Sequence, residues 1–403
     1  MEPKEREEYI RPMKVDEFFV CQKIGEGYGG FVYQCKRGQN KYAMKLINPS
    51  NGKPRQYNEE MLIHEANVLE TLKGHRNIVE YVKHSQKGQG VFLSKQNGVY
   101  TQPIAYLVMQ LAEGGTLGDY FLHDRSHKFS EDLCRYFFQQ FISAIEYIHG
   151  KGLTHRDIKL DNILLTEKYE LLLADFGFSN VVNGVTGNGL VEGGKGTDGH
   201  KAPEVEEGKE FRGEPADIFA GAVSFFALRF KFLPFGISNI LSSPAYNTFV
   251  VKPHQFWASC RGLLSNDDSI SEGFENLWTN MFALDSIKRA KIAQIKQDPW
   301  FNQPAMKSED VVRELQQRVP YVKSNIVQNN KNSKDMKEKG QLRGGSSHAT
   351  QYTSHRDSEM AAISLQELLI FQNEIAKALF AVKHSHQPPA YHDSSSFRLL
   401  NHY

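Results

Sequence analysis

Cysteine is scarce in this chain. The four present among 403 residues, Cys21, Cys35, Cys134 and Cys260, lie far apart and form no CxxC pair. That spacing argues against both a disulfide framework and a thiolate zinc site. It suits a reducing compartment, and a cytoplasmic or nuclear location is expected. Net charge is also nearly absent. The 48 basic side chains meet 47 acidic ones and leave +1, which provides no global field to recruit nucleic acid. No apolar run is long enough to span a bilayer, because the longest, around 220–237, is interrupted by Arg229 and Lys231. The opening MEPKEREEYI is charged where a signal peptide needs an apolar core. There is no calcium loop of the D-x-D-x-D-G type and no internal repeat.

What the chain does contain is a change of period. From Phe18 to Met109, β-rich runs alternate with glycine turns: FFVCQKIGEG, GGFVYQCKRG and KYAMKLI read as successive antiparallel strands. One amphipathic helix interrupts them, with Leu62, Ala66, Leu69 and Leu72 at helical spacing. Strands are expected at Ile78–Lys83 and Ala105–Met109, with an extended hairpin across 86–102 between them. After Gly114-Gly115 the pattern turns helical. Leu133, Phe137, Phe141, Ile145 and Ile148 share one face behind a Ser130 N-cap. The expected fold class is α+β in two lobes, a small β-rich N-lobe and a larger helical C-lobe. The expected organisation is an N-terminal extension at 1–17, the main domain at 18–301, a helical extension at 302–323 and a disordered linker at 324–357. A tail at 358–403 follows, whose amphipathic helix, 359–383, needs a surface in this chain or on a partner.

Several residues carry chemistry. Gly25-Glu-Gly27-Tyr-Gly-Gly30 is a weak signal alone, since GxGxxG occurs in dinucleotide folds and in plain loops. Here a strand follows, Phe31–Cys35, rather than a helix, and a hairpin whose amides approach phosphates fits better. Lys45, flanked by Met44 and Leu46, would be costly if turned inward without an anionic partner. Glu65 on the following helix can supply one, although a lone glutamate there is more often a surface acid. The strongest run is His155-Arg-Asp157-Ile-Lys159-Leu-Asp-Asn162, with Asp175-Phe-Gly177 following 13 positions after Asn162. These types suit a carboxylate that accepts from a hydroxyl, a cation for phosphate charge, and oxygen ligands for a metal.

Together these motifs, with Val32, AMK at Lys45 and Ala202-Pro-Glu204, resemble the eukaryotic protein kinase family of serine/threonine type. The DPWF ending and the DIFA segment resemble the calcium/calmodulin-dependent kinase group. The resemblance covers 18–301. It implies ATP and Mg2+ as cofactors and protein substrates bearing Ser or Thr as partners. It implies that Lys45 binds the α/β-phosphates while paired with Glu65, and that Asp157 orients the substrate hydroxyl. Lys159 would stabilise the transferring phosphoryl, and Asn162 and Asp175 would hold magnesium. Gly25, Gly27 and Gly30 would form the phosphate loop. Val32, Ala43 and Leu164 would sandwich adenine, with the main chain of Gln110 and Ala112 bonding it and Met109 closing the back. Leu69, Tyr81, His155 and Phe176 resemble the apolar column between the lobes. Thr197 resembles the threonine that touches the catalytic aspartate and lysine, and Arg289 the arginine that pairs with Glu204.

Some positions depart from that pattern. Gly29 stands at the loop tip in place of an aromatic, Asp198 and His200 in place of proline and tyrosine, and Thr116 in place of a glutamate. No hydroxyl lies just before Gly196, and Glu192 is the expected partner of Arg156. The alternatives to an active protein kinase are a binding module that keeps the fold without the activity, and a small-molecule phosphotransferase.

Overall fold

The structure is a computed structural model. It describes residues 11–27, 30–47, 54–94, 98–124, 127–182, 189–191, 194–237, 239–264 and 268–338. The loop tip Tyr28-Gly29, Glu192 and the helix expected at 359–383 lie outside the described residues.

The small lobe is built from β1 (Lys14–Val15), β2 (Phe18–Gly27), β3 (Gly30–Arg37), β4 (Asn40–Ile47), α1 (Arg55–Thr71), β5 (Tyr81–Ser94) and β6 (Gly98–Gln110). The strands close into a barrel in the order β1-β2-β3-β4-β6-β5. Closure depends on β1, which pairs with β2 on one side (Lys14 opposite Phe19) and with β5 on the other (Lys14 opposite Val91). Residues expected to be an extension thus join the sheet, and Asp16 anchors the corner by accepting from Tyr106 Oη at 2.7 Å. The period-2 alternation of the strands puts Phe18, Val20, Tyr33, Cys35, Met44, Leu46, Phe92, Tyr106 and Val108 inside one core. The hairpin expected at 86–102 is longer than its sequence suggested, because β5 and β6 pair from Tyr81–Met109 to Ser94–Gly98, with register shifts between Tyr81 and Lys83 and between Ser85 and Gly88. Ile78 is not part of β5; it makes an isolated bridge to Leu173 of the large lobe.

The large lobe opens with α2 (Leu117–His123), α3 (Glu131–Gly150), β7 (Leu153–Thr154), β8 (Ile163–Leu165), β9 (Leu171–Leu173) and β10 (Asn180–Val181). Helices α4 (Pro203–Glu206), α5 (Gly213–Phe230), α6 (Pro244–Val251), α7 (Pro253–Gly262), α8 (Glu272–Met281), α9 (Ile292–Gln297) and α10 (Ser308–Glu338) follow. Ser130 caps α3 by accepting the Leu133 N–H at 3.2 Å, and Glu131 and Asp132 complement the dipole of its first turn. Leu133, Phe137, Phe141, Ile145 and Ile148 are buried along it. Helix α5 is predominantly apolar and is almost wholly buried. Its Phe219, Phe225 and Phe226 anchor an aromatic core that includes Trp278 and Trp300.

Helix α10 runs to Glu338, through the first part of the segment expected to be a linker. Its composition there is poor in apolar residues, but no glycine or proline occurs between Pro320 and Gly340. A helix already nucleated by a packed first half propagates at little further cost. That first half is held by buried Val311, Leu315 and Val322, and by Arg318. Arg318 Nη1 donates to the main-chain oxygen of His127 at 3.0 Å and lies 3.3 Å from Asp124 Oδ2.

Candidate active site

The site lies between the lobes, where β4, α1 and the turn after β9 converge. Lys45 projects from β4 and Glu65 from α1. Lys45 Nζ sits 2.6 Å from Glu65 Oε2 and 3.2 Å from Asp175 Oδ1. Lys45 and Glu65 are buried, while the Asp175 side chain keeps 37 % of its surface open. Burial works against the charge of Lys45, yet Asp175 and Glu65 outweigh it and hold the ammonium above its ordinary value. Burial likewise opposes ionisation of Asp175, but Lys45 and Lys159 prevail and hold that carboxyl below its usual range. Glu65 is pushed up, first by burial and then, against the pull of Lys45, by the charge of Asp175. One cation thus serves two carboxylates.

The segment His155–Asn162 is held from below by Asp217 of α5. Its two carboxylate oxygens accept the main-chain N–H groups of His155 and Arg156 at 2.8 Å each. His149, on the last turn of α3, reaches the same carboxylate at 2.9 Å. Asp217 opens the DIFA segment, so the sequence marks this helix by resemblance, whereas His149 belongs to no motif and only the fold brings it to the carboxylate. Arg156 and Asp175 both adopt left-handed backbone conformations, φ 68° and 62°. Non-glycine residues hold such conformations only where their surroundings over-determine them.

Around Asp157 the contacts are close. Thr197 Oγ1 donates to Asp157 Oδ1 at 2.7 Å and accepts from Lys159 Nζ at 2.9 Å. Asn162 Nδ2 donates to the main-chain oxygen of Asp157 at 2.8 Å and to its Oδ2 at 3.2 Å. With its nitrogen so engaged, Asn162 presents its carbonyl oxygen to a cation. Asp175 adds a carboxylate, and two such hard oxygen donors could contribute to holding a divalent cation such as magnesium. Among the described residues no cluster of three or more His, Cys, Asp or Glu side chains forms a self-sufficient metal cage.

The other predicted positions fall around this centre. Val32 pairs with Lys45 across β3 and β4, and Ala43 with Met109 across β4 and β6. Leu164 lies on β8, bridged to Thr116. Gln110 ends β6, its N–H donating to Glu80 O at 2.8 Å, and Ala112 follows in the connection to α2. Gly25 and Gly27 end β2 and Gly30 begins β3. Gly30 has a packing duty of its own: a Cβ there would lie 2.0 Å from the Leu46 carbonyl oxygen. Leu69, His155 and Phe176 are buried together with Tyr81 at their margin, and the His155 and Phe176 rings are 4.8 Å apart.

Arg289 forms a two-pronged pair with Glu204, 2.5 and 2.8 Å. Lys201 pairs with Asp198 at 2.6 Å. His200 is buried against a cavity of about 20 Å³ shared with Arg156, Asp157 and Thr197. Burial, with the Lys159 charge adding to it, pushes its imidazole down to about 4, so it is neutral near pH 7. Thr116 caps α2: its hydroxyl accepts the Asp119 N–H at 2.9 Å while Asp119 Oδ2 accepts the Thr116 N–H at 3.0 Å.

A two-lobed fold, a buried lysine–glutamate pair and two carboxylates facing one cleft define a nucleotide-dependent phosphotransferase architecture. The family model described as protein kinase domain matches residues 18–301, and the chain belongs to that family. Similar curated proteins include CBL-interacting protein kinase 28 of Oryza sativa subsp. japonica, 28% identical over 73% of this chain and 61% of that protein. The probable serine/threonine-protein kinase fhkC of Dictyostelium discoideum is 30% identical over 68% of this chain and 42% of its own length. SNF1-like protein kinase ssp2 of Schizosaccharomyces pombe is 27% identical over 73% and 46%. The chain therefore spans less than two thirds of the length of these relatives. Among the described residues no helix is long and apolar enough to cross a membrane.

Proposed function

We propose that this chain is a protein kinase that transfers the ATP γ-phosphate to serine and threonine hydroxyls of proteins. The observation that carries the proposal is the Asp157–Thr197–Lys159 cluster at 2.7 and 2.9 Å, assembled while Lys45 is paired with Glu65. Asp157 accepts the hydrogen bond of the incoming hydroxyl and aims it at phosphorus. Lys159 lies beside the transferring group and offsets its charge, and Lys45 fixes the α/β-phosphates from the opposite side. Asn162 and Asp175 would hold magnesium, whose charge neutralises that developing between the phosphates. Positioning and electrostatic stabilisation supply most of the rate in such a site.

The adenine would lie between Val32, Ala43 and Leu164, bonded by the main chain of Gln110 and Ala112, with Met109 behind and the Gly25, Gly27 and Gly30 loop over the phosphates. A protein substrate is favoured over a small molecule by the Glu204–Arg289 pair, which braces the segment beside the catalytic loop. Thr116, spent on a helix cap, offers no carboxylate at the start of α2, which supports weak selection for arginine upstream of the target. An intracellular setting is supported by four cysteines that all remain free. The test is a peptide array with labelled ATP and magnesium. Label on serine or threonine peptides is expected. Label on no peptide, or on tyrosine alone, overturns the proposal.

A further inference from the structure

Two successive side chains of α1 grip the same stretch of main chain. Glu65 points inward, bonds Lys45 and lies against the main chain at Gly177. His64, about 100° around the helix, lies toward solvent on one side, and its Nε2 is 2.8 Å from the main-chain oxygen of Ser179. A carbonyl only accepts, so Nε2 carries the proton in this contact. Between these two grips the chain turns tightly: the Ser179 N–H donates to Phe176 O at 3.0 Å, and Ser179 is buried. A Cβ on Gly177 would lie 3.7 Å from Met61 Cε and 4.0 Å from Glu65 Oε2, so the turn rests directly on the helix. Immediately before it stands Asp175 with its left-handed φ of 62°.

We propose that His64 is a positioning residue of the phosphoryl-transfer site, locking the 176–179 turn to the helix that carries Glu65. Packing of Gly177 against Met61 and Glu65 supports the turn at one point and leaves it free to pivot there. The His64 bond at Ser179 removes the pivot. The strained Asp175 backbone is then held from its C-terminal side, and the lysine pair and the metal-facing carboxylate assemble as one unit. His64 acts through Asp175 and touches neither nucleotide nor substrate.

The proposal rests on the kinase reading above, and its test separates the two. His64→Ala and His64→Gln are made in the full chain, since the glutamine amide can donate to the same oxygen. The measurements are kcat, KM for ATP, melting temperature, and amide hydrogen exchange across 175–182. His64→Ala is expected to lower kcat about fivefold, the worth of one lost hydrogen bond. Exchange in that segment accelerates in parallel while the melting temperature hardly moves. His64→Gln recovers both within about twofold. Wild-type kcat and exchange in His64→Ala overturn the proposal, as does a glutamine variant as impaired as alanine. If wild-type protein transfers no phosphate, the kinase reading fails, and the exchange comparison alone then decides for or against the His64 lock.

Discussion

Two buried ionic clusters in this chain differ in how completely they satisfy themselves. At the lobe boundary, one lysine, Lys45, faces two carboxylates, Glu65 and Asp175, and the Asp175 side chain remains open to the cleft. Below α10, Arg318 is enclosed by Asp124, Glu314 and the carbonyls of His127 and Lys128, and its guanidinium stacks 4.7 Å from the centre of the Phe129 ring. Lys231 completes that group, donating to Tyr120 O at 2.9 Å. In the second cluster, charges and lone pairs are matched by the protein. In the first, negative charge is left over on an exposed face, and that surplus suits an incoming cation. Burial of charge alone does not mark a functional site; an unbalanced, accessible remainder does.

The largest expected difference is catalytic. Lys45→Met and Asp157→Asn should each lower kcat by about a hundredfold or more, with folding retained, because each removes a charge used at the reacting phosphate. Turnover like that of the wild type in either variant would remove the basis of the functional assignment. Arg318→Met should do the reverse. It removes a side-chain partner of the fully enclosed Asp124, leaving His127 Nδ1 at 2.8 Å, and should cost about 2–3 kcal/mol of unfolding free energy. Activity per folded molecule should stay within about twofold, since no reacting group is touched. Pairing it with Asp124→Leu removes the under-compensated carboxylate, and most of the lost stability should return. Denaturant titration with parallel kinetics measures both. A hundredfold loss of kcat in Arg318→Met would erase the contrast between the clusters.

The sequence made the first cluster legible and left the second hidden, for a physical reason. Lys45, Asp157, Asn162 and Asp175 stand in short runs that resemble the kinase motifs, and Glu65 follows from that resemblance rather than from a run of its own. Arg318 and Asp124 are 194 positions apart and belong to no motif, so only folding brings them together. The same distinction holds for the fold. The α3 face and the β2–β4 alternation follow from periodicity within one element. Closure of the barrel by Lys14–Val15 and the continuation of α10 past 323 depend on what those segments meet in space. His64 beside Glu65 carries no signal in the sequence, because its partner is a carbonyl oxygen, which any residue at 179 provides.

A smaller effect tests the second cluster by pH. Burial pushes Lys231 down to about 7 from an ordinary 10.5, against the pull of Asp124 and with Arg318 adding to the fall. Between those values the unfolded chain holds a proton that the native protein has released, so native stability rises with pH. The penalty is present in full below pH 7 and is relieved as pH climbs. Lys231→Met has no proton to exchange. The stability of the wild type relative to this variant should therefore rise by about 2 kcal/mol between pH 7 and 9. Comparing the two proteins cancels the buried thiols of Cys35, Cys134 and Cys260, whose raised values act in the opposite direction at higher pH. A flat difference would mean that Lys231 is not held beside Arg318.

The smallest effect probes the element between the clusters. Helix α2 begins at the cleft, where Thr116 bridges Leu164 and Gly118 lies so near the catalytic loop that a Cβ would stand 2.9 Å from Asp161 Oδ1. It ends at Asp124, inside the Arg318 cluster. Thr116→Ala deletes the hydroxyl that accepts the Asp119 N–H and should cost about 1 kcal/mol of stability. Because the loss falls at the cleft end, it should also loosen the Leu164 floor and raise KM for ATP about twofold, with kcat unchanged. Thr116→Ser keeps the acceptor and should leave both close to wild type. If the alanine variant loses stability while KM stays fixed, α2 is a passive spacer and the clusters are energetically separate. If KM rises and the serine variant restores it, the cap at Thr116 is where the stability of the large lobe reaches the nucleotide site.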